Sequence, residues 1–211
     1  MTTSLSEIFN TSTLFSEDKK KYYLTKKSLI LKLYKGVNIK EIKDKIDSYQ
    51  IFDIIDDLAQ VLCDKENTDK IFANILNTLI SKYKDININL FDFRLSEPHG
   101  TIELHALSNE DHKYHEELLE LEDYIELYNF INSAECNDEA MEDVGTQKFI
   151  EETFDFINEL VYDFLKKVIP QYFTKESLSK LDINYPLSFY FNEEYREAAA
   201  WEGPLLHTLG E

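Results

Sequence analysis

The chain has 211 residues, 43% of them hydrophobic and 13% aromatic, with 22 basic and 41 acidic side chains and a net charge of −19. That apolar content is too high for disorder, and five glycines and four prolines leave no long flexible linker. The negative charge argues against direct binding to nucleic-acid phosphates or to an anionic lipid surface.

No run approaches the length of a membrane-spanning helix. The first residues lack the basic and apolar regions of a signal peptide. Cys63 and Cys136 fit no metal spacing and read as reduced thiols, so a cytoplasmic protein is expected. The length suits one domain, 1–211, with a subdivision into a helical region 1–84 and an acidic α+β region 85–211.

In chain order, Ser4 with Glu7 has the spacing of a capping box that opens a short helix, and Asn38 with Glu41 repeats it. Between them, Ser28–Tyr34 suits helix or strand and ends near Gly36. Ile51, Phe52, Ile54, Ile55, Leu58, Val61 and Leu62 then form one helical face. Thr68 is the expected N-cap of a helix with Ile71, Phe72, Ile75, Leu76, Leu79, Ile80 and Tyr83 inward. Near Asp85 the period changes to two. Residues 86–95 and 101–107 alternate around the turn signal Ser96-Glu97-Pro98-His99-Gly100 and predict a β-hairpin. Ser108 with Asp111 predicts a helix to about Ile131, and an acidic loop fills 133–145. A long helix from about Thr146 should stop at Pro170, with Ile150, Phe154, Ile157, Leu160, Val161, Phe164 and Val168 inward. A last strand is expected at 187–191, followed by a tail with Arg196 and Trp201. The expected class is α+β and predominantly helical: N-terminal helices, a β-hairpin, two long acidic helices and a C-terminal strand.

The charge is concentrated. Residues 91–165 hold three basic and 21 acidic side chains, a net −18, while 1–90 are close to neutral. A one-signed surface repels itself, so it implies something other than stability, most simply a basic partner. Glu151, Asp155, Glu159 and Asp163 recur every fourth residue and form a helical stripe spaced about 6 Å along the axis. Three successive like-charge pairs of this kind cost roughly 1 kcal/mol together. Glu116 with Glu120, and Glu122 with Glu126, repeat the spacing. Solvated charge runs are common and need no partner. The functional reading is a docking surface that speeds encounter and orients a cationic protein. A narrower version is mimicry of DNA, which carries one charge per about 1.7 Å and would need two or three stripes side by side.

His99, His105, His112 and His115 cluster in sequence, and two imidazoles three apart on a helix could share a metal. The zinc-protease pattern is absent, and solvated histidines are the plainer reading. No Gly-rich phosphate loop, nucleophile elbow or Cys-x-x-Cys occurs, so no catalytic residue, metal site or cofactor is assigned. Phe189, Tyr190, Phe191 and their neighbours read chiefly as packing, while Trp201 and Arg196 are also residue types that anchor interfaces.

The acidic stretch Glu110–Asp163 and the hairpin-helix-helix-strand order from Ile86 to Phe191 resemble the small acidic immunity proteins of bacterial toxin systems. The resemblance implies a cytosolic inhibitor that binds a cognate toxin, often a basic nuclease, and blocks its active site. The same likeness extends to phage-encoded acidic inhibitors of DNA-acting host defences. Under it, the interface is Glu116, Glu120, Asp123, Glu126, Glu151, Asp155, Glu159 and Asp163, with Trp201 as aromatic anchor. The alternatives are a DNA mimic and a metal-dependent enzyme built on the histidine cluster.

Overall fold

The computed structural model describes residues 3–48, 50–96, 101–108, 111–120, 142–193 and 203–210, with the backbone alone for 48, 96, 108, 111–120 and 193. Helices come first: α1 (Leu5–Thr11), α2 (Glu17–Tyr34), α3 (Lys40–Ser48), α4 (Ile51–Cys63) and α5 (Lys65–Tyr83). Strands β1 (Ile88–Ser96), β2 (Thr101–Ser108) and β3 (Asp111–Glu120) follow, then α6 (Val144–Tyr172), β4 (Ile183–Glu193) and β5 (Leu205–Leu209). The α+β class stands, with helices early and strands late. The chain forms two compact units that interleave in sequence: 1–63 with 122–161, and 64–121 with 162–211. The division therefore does not fall at 84/85. Helix α5 belongs with the strands, and α6 is shared, its first part to Val161 in one unit and the remainder in the other.

In the first unit, local sequence starts the helices. Ser4 and Glu7 form the expected capping box on α1, and Ser16 accepts from Lys19 N at the start of α2. Asp143 accepts from both Thr146 N and Thr146 Oγ1 at 2.8 Å and caps α6. Its carboxyl is held below the usual range, first by the Thr146 hydroxyl and then by the Thr146 amide. The core is aromatic. Tyr23 is fully buried, with its ring 5.5–6.0 Å from Phe9, Phe15 and Phe156. Its hydroxyl donates to the Glu159 carbonyl at 3.0 Å. Buried Asp56 ties distant segments together: it accepts from Leu5 N at 3.1 Å and pairs with Lys27.

In the second unit, the sheet order is β3-β2-β1-β4-β5. β1 pairs antiparallel with β2 and parallel with β4, and β3 and β5 close the two sides antiparallel. Alternation puts Phe91, Phe93, Leu95, Ile102, Leu104, Phe189 and Phe191 on one buried face. Phe173, just past α6, fills that face, with its ring 5.3 Å from Phe91, 6.0 Å from Phe93, 5.4 Å from Phe189 and 5.9 Å from Phe72. Tyr172 stacks on Phe72 at 4.6 Å and donates its hydroxyl to Asp69.

Several elements differ from the sequence expectation. Residues 111–120 form a strand and not the start of a helix, because β2 has a second row of backbone groups that needs partners. A charged strand also suits the edge of a sheet. The remainder of that helix, to Ile131, lies outside the described residues. Thr68 is inside α5, and Asp64 is its cap. Helix α3 begins at Lys40, so Asn38 stands too early to cap it and bonds Asp143 with its side chain instead. Pro170 lies within α6, in its last turn on the exposed side with Lys166 and Lys167, where water can serve the Lys166 carbonyl that the missing N–H leaves without its helical partner. Phe154 is only half-buried, and Phe149 and Phe156 take the inward positions. Strand β5 was not anticipated. Phe173→Ala should cost about 3–5 kcal/mol in urea denaturation, since its void would open among four aromatic rings.

Candidate functional site

The expected acidic stripe lies on α6. Glu151 and Asp155 are exposed, and Glu151 accepts from Gln147 Nε2 at 3.0 Å. Glu159 is engaged within its own unit. It accepts from Tyr22 Oη at 2.6 Å and pairs with Lys26 Nζ at 3.0 Å. The hydrogen bond to Glu159 is the main reason the Tyr22 hydroxyl is pushed up to about 12, with burial adding to it. Tyr22 is itself 42% exposed and lies beneath Lys19, whose Nζ is 5.5 Å from the ring centroid. Asp163 is half-buried and belongs to the second unit. Glu116 and Glu120 belong to β3, where four residues span about 13 Å rather than one helical turn. Asp123, Glu126 and Trp201 lie outside the described residues. The structure therefore brings together Glu151 and Asp155 as exposed carboxylates one turn apart, and it ties Glu159, whose side chain stays 44% accessible, to Tyr22 and Lys26.

The sequence reading missed a second constellation, on the sheet face opposite Phe173. Asp92 is fully buried. Its Oδ2 accepts from Arg94 Nε at 2.6 Å and its Oδ1 from Asn192 Nδ2 at 2.6 Å. Across the ladder, Arg94 is the register partner of both Glu103 and Asn192, and Asp92 that of His105 and Tyr190. Glu103 is buried and its Oε2 lies 2.9 Å from His105 Nε2. Five polar side chains from β1, β2 and β4 thus share one face with little exposure. Their signal in the sequence was the alternation Phe91-Asp92-Phe93-Arg94-Leu95 and Ile102-Glu103-Leu104-His105-Ala106. It marks strands correctly, but it does not say that the polar side would be covered.

For the histidine cluster, His105 is engaged by Glu103, and β3 places His115 opposite His105 in the ladder. His99 lies outside the described residues. Among the described residues no group of three potential metal-ligating side chains occurs, and no helix is long and apolar enough to cross a membrane. Comparison with known proteins finds no matching family model, no matching curated sequence and no matching solved structure.

Two outcomes follow from this geometry. Asp92→Ala should cost roughly 3 kcal/mol in chemical denaturation, because it strands the Arg94 charge and the Asn192 amide in a buried site. The folded state also holds the Tyr22 and Tyr172 protons more tightly than the unfolded chain does, with both hydroxyls pushed up to about 12 from 10.0. For Tyr172, burial is the larger cause and the Asp69 hydrogen bond the second. This stabilisation is complete below pH 10 and is lost as pH rises from 10 through 12. The melting temperature of Tyr22→Phe/Tyr172→Phe should accordingly fall less steeply over that window than that of the natural chain.

Proposed function

We propose that the protein is an acidic protein-binding inhibitor that neutralises a basic partner, most simply an immunity protein that blocks a cognate bacterial toxin of nuclease type in the cytoplasm. The observation that carries this reading is the net −18 confined to residues 91–165 in a chain otherwise near neutrality. Random acidity would be spread out. A surface of one sign costs stability and gains fast, oriented encounter with a cationic protein. Exposed Glu151 and Asp155, with no lysine beside them on their turn of α6 except Lys148, support it.

Mimicry of DNA is the weaker form of the same idea. It needs adjacent helical stripes to approach the charge density of a duplex, and over 111–120 the second helix is replaced by a strand. The metal-enzyme reading gains no supporting observation.

The test is affinity capture from the source cell at low salt, followed by salt elution. One basic protein in near-equal amount is the expected outcome. Glu151→Lys/Asp155→Lys should slow its association at least tenfold while leaving the fold about as stable, since positions 155 and 159 become opposite in charge while positions 151 and 155 stay alike. Association at the natural rate after both reversals would remove α6 from the interface.

A further inference from the structure

Arg94 and Glu103 face each other directly across β1 and β2, so an ion pair between them is the ordinary outcome. The structure diverts both. Glu103 turns to His105, and Arg94 gives its Nε to Asp92, which Asn192 holds from the other side. The guanidinium is gripped along one edge only. Among the described residues no partner is found for its two Nη groups, and its side chain keeps 20% of its surface accessible. Thr101 lies on the same face of β2 as Glu103, two residues earlier. It is only 3% exposed, and among the described residues its hydroxyl has no hydrogen-bond partner. A buried hydroxyl left unsatisfied is rare in a native fold. Diagonal neighbours across a ladder are about 7–8 Å apart, within reach of a side chain as long as arginine.

We propose that Arg94 and Thr101 form a binding site for one small oxyanion, a carboxylate or a phosphate group. The Nη groups can give it two parallel charge-assisted hydrogen bonds, and Thr101 Oγ supplies a third donor. Asp92 and Asn192 are positioning residues, since they fix the plane of the guanidinium without using its outer edge. Asp92 and Glu103 already accept from donors, which weakens their repulsion of an incoming anion. The net charge of −19 turns polyanions away, so the ligand is a single small group and not a nucleic acid. The site belongs to the second unit and is independent of the inhibitor reading.

The full chain, labelled with 15N, would be titrated with inorganic phosphate and separately with acetate at constant ionic strength, with chloride as control. Saturable shifts confined to β1, β2, β4 and the Arg94 Nε–H are expected, and the tighter of the two anions identifies the source chemistry. Arg94→Lys and Thr101→Val should each weaken binding tenfold or more. Thr101→Val also removes an unpartnered buried hydroxyl, so the free variant should melt higher than the natural chain. Loss of binding in that variant then cannot come from unfolding, even if Arg94→Lys fails to fold. Shifts that chloride reproduces, shifts on the lysines of α2, no shifts at all, or unchanged affinity in Thr101→Val would each overturn the proposal.

Discussion

A carboxylate wholly removed from water must find donors for both its oxygens or lose its charge. Asp92 finds them in Arg94, two residues along its own strand, and in Asn192, a hundred residues away on β4. That single requirement organises much of the second unit. A bond from β4 to Asp92 is compatible with one parallel register of β1 and β4, the one in which Phe91 meets Phe189 and Phe93 meets Phe191. A slip of β1 by one residue would turn its aromatic side away from Phe173 and send Asp92 into the apolar core. The polar and apolar faces of the sheet therefore enforce the same alignment.

The first unit uses the same device. Buried Asp56 receives the Leu5 amide and the Lys27 ammonium, joining α1, α2 and α4 at one point. In both units an acidic residue in a short apolar stretch does structural work far from the exposed acids. The total of 41 acidic side chains thus overstates what is open to a partner. Some cap helices, as Asp64 and Asp143 do. Some hold buried donors, as Asp56 and Asp92 do. Glu159 is tied to Tyr22 and Lys26. What stays exposed on α6, Glu151 and Asp155, is a smaller and better-defined patch than the four-residue stripe suggested, and the inhibitor reading rests on that patch and on the charge around it.

Features governed by neighbours in sequence were legible in advance. The Ser4–Glu7 capping box closes over three residues, and the helical faces of α4 and α5 follow from spacing alone. The hairpin of β1 and β2 showed itself through strict alternation. Misreadings arose where a distant partner outvoted the local pattern. The segment 111–120 carries helix-compatible spacing, but an unpaired edge of β2 makes a strand there the better use of its backbone. Pro170 marks a stop by local rule, yet its place in the last, exposed turn lets the helix run on to Tyr172.

From its sequence alone this protein's class, its hairpin, the start of its first helix and its lopsided charge were determined, because propensity, periodicity and net charge are local or additive properties. Tertiary structure decided which charges are spent internally and which face outward, since that depends on contacts such as Tyr22 with Glu159 and Asp92 with Asn192, 137 and 100 residues apart. Read in line, the polar residues of β1 and β2 are only the alternate positions of two strands. Only the folded sheet shows them buried, because burial is a property of what lies above a residue and not of what lies beside it.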